Sequence, residues 1–285
     1  MNFLNIQRSR TKKLQVGLSF GAPNWLHMLV LTFCLPLSYQ ALAQTTRLER
    51  VLANKELRAC IWPEYYSISY RNPKTRALSG VDIAITQDLA RELGVKLKYV
   101  DSNFAQLYES LEQDRCDIAT HAIGITEERQ ARLLFSQPYL KSGLFAVTLK
   151  NKEGLQTWDS LDQPGRVIAV AAGTVMEGVM SKSLKKARLL KVQSPGTREQ
   201  EVLSGRADAF MTDYPYSLRM IDLTDWAAVI QAPSSMNATE YAYAFTKGEN
   251  SLQTRVDAFL SRIKKDGRLL QFAKTNNLEP IVLLK

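Results

Sequence analysis

Arg129 is the residue of this 285-residue chain whose position most demands an explanation. It stands three places after Thr126, inside the first turn of a helix that Thr126 would cap. A cation there opposes the helix dipole at a cost of ~0.3–1 kcal/mol, and an ordinary helix places Glu or Gln at that point as a capping box. A guanidinium beside free backbone N–H groups suits a bidentate grip on a carboxylate; the plainer role is a surface arginine paired with Glu128 or solvent. Asp213 stands at the C-terminal end of a buried run, residues 207–212. Ligands commonly sit at such a place in open α/β sheets; the plainer role for Asp213 is a turn or cap residue ahead of Pro215. Thr174 follows Gly173 at a strand-to-helix turn, and its N–H and hydroxyl could hold a carboxylate. Thr174-x-x-Glu177 is also a good capping box, which weakens any role for Glu177 as an acid. His121 is the only histidine after residue 43, and no cluster of imidazole or thiol ligands gathers around it for a metal.

Short apolar runs alternating with helical periodicity position these residues, as in an α/β fold. Strands are expected at 57–61, 95–100 and 117–121. Asp82 should cap a helix with apolar positions Ile85, Leu89 and Leu93 that ends at Gly94. Phe104, Leu107 and Leu111 mark a second helix, and Thr126 opens a third that runs toward Phe135 and stops before Pro138. A second set follows, with strands at 166–171, 189–192 and 207–212, a helix after Thr174 and a short helix at 197–203 closed by Gly205. The C-terminal segment reads as a strand, 241–246, and a helix through Leu252, Val256, Leu260 and Ile263. The stretches 111–118 and 203–209 echo each other, each a helix end, a tight turn and a buried strand. That echo favours two similar lobes over one large sheet.

The first 43 residues read as an export signal. Arg8, Arg10, Lys12 and Lys13 precede an apolar run from Trp25 to Leu37, and Ala41-Leu42-Ala43 gives the small-x-small cleavage pattern. The run is too short to cross ~30 Å of hydrocarbon. Phe33 before Cys34 argues against lipid attachment. Setting those four cations aside takes the formal charge from +9 to +5 on the 242 residues that follow Ala43. This excess is spread along the chain without the clustered patch that nucleic acid requires. Cys60 and Cys116 are too few for a disulfide scaffold. Export permits a bridge between them, but each lies beside a buried-strand pattern, where a small apolar filler is the commoner role.

Gly80-Val81-Asp82-Ile83, Asp117-Ile118-Ala119, Ile125-Thr126-Glu127-Glu128-Arg129 and Phe135-Ser136-Gln137-Pro138-Tyr139 resemble, in order and spacing, the family 3 extracellular solute-binding proteins. The resemblance runs from about residue 47 to the C-terminus. It implies a type II periplasmic binding protein fold, α/β, with two α/β lobes joined by two hinge strands near 142–145 and 239–241. Lobe 1 would comprise residues 44–143 plus 242–285, and lobe 2 residues 144–241. Arg129 would then hold a ligand carboxylate and Asp213 its α-amino group. Tyr65 and Phe104 match the aromatic positions that sandwich a ligand side chain, although Phe104 also fits the apolar face of its helix. Trp62, Ala122 and Gly124 fall at ligand-binding positions where other residues are common: small or acidic for Trp62, serine for the other two. With His121 beside Ala122, they imply a pocket that is aromatic and poor in hydroxyls.

The function implied is a periplasmic solute-binding protein. It would be a monomer that closes on a small amino-acid-like carboxylate, delivers it to an ABC permease and needs no cofactor, metal or nucleic acid. The main enzyme alternative is the cyclohexadienyl-dehydratase-like branch, which residues 139–143, 161–165 and 184–188 resemble. In that case Glu64 and Glu177 are the candidate acids for dehydrating prephenate or arogenate. A third alternative is a subunit that presents ligand to a sensory receptor.

Overall fold

The computed structural model of the protein describes residues 45–194, 196–234, 236 and 238–285. The expected export signal lies outside them. Among the described residues no helix is long and apolar enough to cross a membrane.

The chain begins with α1 (Arg47–Asn54), β1 (Glu56–Ile61), the short pair β2 (Tyr70–Arg71) and β3 (Leu78–Ser79), α2 (Val81–Leu93) and β4 (Lys96–Asp101). A 3-10 turn at Phe104–Gln106 leads into α3 (Leu107–Glu112), β5 (Ile118–Gly124), α4 (Glu127–Arg132), β6 (Leu133–Phe135) and β7 (Leu140–Ser142). Next come β8 (Leu144–Leu149), β9 (Val167–Ala171), α5 (Val175–Ser183), β10 (Arg188–Val192), α6 (Arg198–Leu203) and β11 (Ala209–Asp213). The chain finishes with α7 (Tyr214–Leu223), β12 (Ala227–Gln231), β13 (Thr239–Thr246), α8 (Asn250–Lys265) and α9 (Arg268–Thr275).

Two sheets result. The first has the order β4-β1-β5-β13-β6, with β7 also paired to β13, and the second the order β10-β9-β11-β8-β12. In each, three strands run parallel (β4, β1 and β5; β10, β9 and β11), and an antiparallel strand joins the third. The chain passes between the sheets twice, at Gly143 from β7 to β8 and again between β12 and β13. The two passages are tied together where Thr239 pairs with Ser142.

The internal echo has a physical basis. Asp117 N–H donates to the Arg58 carbonyl at 2.8 Å and its carboxylate accepts from Arg58 N–H at 2.8 Å. Asp208 repeats both bonds with Val167, each at 2.8 Å. In both sheets an aspartate ahead of the third parallel strand thus locks it to the first strand of its set.

Several expectations are corrected. Asp82 does not cap α2; Gly80 occupies that position, and Asp82 is buried inside the first turn. The third helix stops at Arg132 because residues 133–135 pair with β13 as β6, so tertiary pairing overrides the helical pattern. Cys60 and Cys116 are not apolar fillers: they form a disulfide with their Cα atoms 5.6 Å apart.

Candidate functional site

The residues singled out for chemistry gather just beyond the C-terminal ends of the parallel strands, where both sheets turn toward one cleft. Trp62 and Tyr65 follow β1, Phe104 follows β4 and Arg129 follows β5; Thr174 follows β9, and Asp213 ends β11. A cavity lies there, open at its rim, lined by Trp62, Tyr65, Phe104, Thr174, Asp213 and, from the connecting strand, Tyr241.

Asp213 proves to be both cap and cavity residue. One oxygen accepts from Tyr216 N–H at 3.2 Å, closing the first turn of α7. The other accepts from the Tyr241 hydroxyl at 2.8 Å and from the Tyr65 hydroxyl. Burial raises its pKa, against the lowering effect of these tyrosines. Burial beside this carboxylate also lifts both tyrosines well above their ordinary range, so they remain O–H donors. The result is a buried acid ringed by hydroxyls, with the polarity to receive an ammonium.

Arg129 is the opposite pole. Only 5% exposed, it donates to the Gly124 carbonyl and, across the cleft, to the Gly173 carbonyl, both at 2.8 Å. Its guanidinium lies 5.6 Å from the Phe104 ring centre. Burial lowers its pKa. Among the described residues no carboxylate lies within 4.0 Å of it, and Glu128 is not its partner. A buried cation held only by carbonyls is incompletely compensated.

Aromatic rings form the walls. Trp62 stacks on Tyr216 across the cleft with ring centres 6.0 Å apart and planes 7° from parallel. Phe104 meets Trp62, Tyr65 and His121 edge-on at 5.5, 5.9 and 5.0 Å. Phe104 is therefore both core and lining. His121 is fully buried, with Nδ1 3.2 Å from the Cys60 carbonyl and Nε2 unpartnered, and burial pulls its pKa down to about 4. No group of three or more metal-ligating side chains occurs among the described residues.

Ala122 and Gly124 shape the floor. Ala122 adopts φ +49°, a left-handed conformation costly for alanine, where β5 and β13 shift register. Its N–H is held by the Asp82 carboxylate at 3.0 Å, and Asp82 also accepts from the Tyr139 and Tyr243 hydroxyls at 2.6 and 3.1 Å. At Gly124 a Cβ would stand 2.5 Å from Val175 Cγ2 and 3.0 Å from Thr239 Cγ2, so only glycine permits this approach of α5. Gly173 (φ +76°) plays the same part opposite, its would-be Cβ 2.6 Å from Ala105 N.

Thr174 makes no side-chain cap bond; its hydroxyl donates to the Ala171 carbonyl at 2.7 Å. Glu177 reaches one residue further back than a capping box would, accepting from Gly173 N–H at 2.8 Å, and pairs with Lys191 at 2.6 Å. Met176, not Glu177, lines the cavity. Sequence reasoning missed Arg198, which lines it too. This arginine is 5% exposed, donates to the Met211 carbonyl at 2.7 Å and lies 4.3 Å from the Tyr216 ring centre. The signal was available: Arg198 directly follows the cap Thr197, a cation in a first helical turn like Arg129.

Residues 57–276 match the family model of bacterial extracellular solute-binding proteins, family 3. The chain is 33% identical over 248 residues to a cyclohexadienyl dehydratase of Pseudomonas aeruginosa, covering 86% of this chain and 92% of that one. It is 27% identical over 193 residues to an L-cystine-binding protein of Escherichia coli, covering 67% and 71%. Among solved structures it resembles an ancestral amino acid-binding protein, a precursor of cyclohexadienyl dehydratase, with a TM-score of 0.73 and 28% identity over 80% of this chain and 98% of that one. The fold is the type II periplasmic binding protein fold.

Proposed function

From the premise that the chain belongs to the bacterial extracellular solute-binding proteins of family 3, we propose that it captures a small amino-acid-like carboxylate in its cleft and delivers it to an ABC permease. On this reading, export by residues 1–43 places a monomer in the periplasm. Residues 44–143 plus 242–285 form one lobe and 144–241 the other, hinged near 142–145 and 239–241.

The observation that carries the proposal is the polarity of the cleft. Arg129, a buried cation without a carboxylate, lies on the first-sheet side, and Asp213, a buried acid among hydroxyls, ends the second sheet's central strand. An α-amino acid spans the two, its carboxylate on Arg129 and its ammonium on Asp213. Tyr65 and Phe104, with Trp62, cover its side chain. Thr174 meets it from the far side, and Ala122 and Gly124 form the floor. Closing the cleft makes both charge contacts at once, so the ligand's preference for the closed state drives closure.

Calorimetry on Arg129→Ala and Asp213→Ala, with one identified amino acid and its deaminated analogue, tests this. Removing either partner leaves a ligand charge desolvated and should cost ~2–5 kcal/mol. Asp213→Ala should spare the deaminated ligand. Wild-type affinity in Arg129→Ala would overturn the site.

Similarity to a cyclohexadienyl dehydratase supports a second reading, dehydration of prephenate or arogenate. That chemistry needs a carboxyl kept protonated beside the departing hydroxyl. For Glu177, burial would raise the pKa, but the bonds from Lys191 and Gly173 N–H outweigh it and keep the carboxyl ionised. The binding reading is therefore favoured. Turnover of prephenate or arogenate that disappears in Glu177→Gln would reverse that choice.

A further inference from the structure

We infer that the ligand carries a second anionic group, received by Arg198, so that the site selects dicarboxylates over neutral or cationic amino acids. The inference rests on the reading of the cleft as the ligand site and adds the ligand's charge class.

Two guanidiniums reach the cavity region, Arg129 at the Gly124–Gly173 side and Arg198 beside Tyr216, and both are 5% exposed. Among the described residues, Asp213 is the one carboxylate buried beside them; it lines the cavity with Arg198, while Arg129 lies in the adjoining part of the cleft with Thr174 and Val175. An α-amino acid places its carboxylate on Arg129 and its ammonium on Asp213, and Arg198 is then left facing uncharged groups. Arg198's nearest partners are the Met211 carbonyl and the faces of Tyr216 and Phe210, at 4.3 and 5.0 Å from the ring centres. Among the described residues no carboxylate lies within 4.0 Å of it. The neighbouring Glu199 is committed elsewhere, accepting from Arg219 at 2.9 Å and from the Tyr216 hydroxyl at 2.5 Å. Glu64 and Glu199 line an adjoining pocket that Arg198 also borders, and neither lines this cavity.

The neighbourhood of Arg198 also fits a donor rather than a packing residue. One terminal nitrogen is held by the Met211 carbonyl, two residues before Asp213 on β11, and the guanidinium carbon lies over the Tyr216 ring. A guanidinium oriented in this way is prepared to make bidentate bonds to a carboxylate. A ligand with two carboxylates and one ammonium has net charge −1, which matches the excess cation of the site. A cationic side chain would meet Arg198 as a like charge.

The test is calorimetry with matched pairs, L-glutamate against L-glutamine and L-aspartate against L-asparagine, together with arogenate, prephenate and L-arginine, on wild type, Arg198→Met and Arg129→Ala. In wild type the tightest probe should carry two carboxylates, each acid should exceed its amide at least tenfold, and L-arginine should bind weakest. Arg198→Met should lose at least tenfold for the dicarboxylates while the amides hold or improve, and retained amide binding shows that the variant is folded. Arg198→Lys should fall between the two. A wild-type preference for an amide or for L-arginine overturns the inference. Equal losses for acid and amide in Arg198→Met overturn it as well, because Arg198 would then serve only to keep Asp213 charged. Failure of the underlying reading looks different: Arg129→Ala would bind every probe as wild type does, or no probe would bind to either protein.

Discussion

Replacing Asp82 with Asn should change how stability depends on pH, apart from any offset common to all pH values. Asp82 is fully buried beneath the cavity floor. Burial pushes its pKa from 3.8 up to about 7, although Tyr139, Tyr243 and Ala122 N–H all donate to it. The native state therefore holds a proton that the unfolded chain has released. That contribution is complete below pH 3.8 and is lost as pH rises to 7, an amount of about 4 kcal/mol. His121, next to Ala122 on β5, works in the opposite sense. Its pKa falls from 6.5 to about 4, so below pH 6.5 the unfolded chain takes up a proton that the native state refuses. The loss amounts to about 3 kcal/mol by pH 4. Between about pH 4 and 6.5 the two slopes cancel. Asp82→Asn removes one of them, and the variant should gain about 3 kcal/mol relative to wild type as pH rises from 4 to 6.5. Asn also turns its N–H₂ toward Ala122 N–H when its oxygen faces the tyrosines, which adds an offset largely independent of pH, about 1–3 kcal/mol for the unsatisfied donor. Urea titrations followed by tryptophan fluorescence at closely spaced pH values separate slope from offset. Parallel wild-type and Asp82→Asn curves from pH 4 to 7 would refute the reasoning.

Removing the disulfide with Cys60→Ala and Cys116→Ala together frees a crosslink spanning 56 residues and should lower stability by about 4 kcal/mol, read as a lower urea midpoint. Gly124→Ala should fold but lose ligand affinity at least tenfold and compact less in solution scattering, because its Cβ drives Val175 and Thr239 apart. Intact mass of exported protein should show a start near Gln44 without a lipid adduct.

The parallel strands and their order of appearance were readable because each is a short apolar run closed by a turn residue, and the buried helix stripes because they recur at helical spacing. Arg129 was legible for another reason: its type contradicts its position in a helix, and such a local contradiction marks a residue selected for something other than folding. Asp82 resisted the same method. An acid after a glycine at a helix start has an ordinary explanation as a cap, and only the tertiary arrangement brings Tyr139, Tyr243 and Ala122 around it. The helix boundary at Arg132 and the disulfide escaped for the same cause, since both depend on partners distant in sequence.

Binding and dehydration place different demands on this cleft, and the difference can be located in single residues. A receptor needs charges that are satisfied only when the ligand arrives, so its polar groups should be buried, ionised and incompletely paired. Arg129 and Arg198 meet that description. An enzyme that expels hydroxide needs in addition one acid whose surroundings penalise its anion. Asp213 lines the cavity, and burial raises its pKa in spite of three hydrogen-bond donors and the nearby Arg198. Glu177 is drawn out of the cavity by Lys191 and the Gly173 N–H, and Met176 occupies the wall in its place. A carboxyl placed at position 176 would enter that wall, where apolar neighbours would disfavour its charge. Met176→Glu should bind dicarboxylates less tightly at pH 8 than at pH 5, because its own anion then adds to that of Asp213.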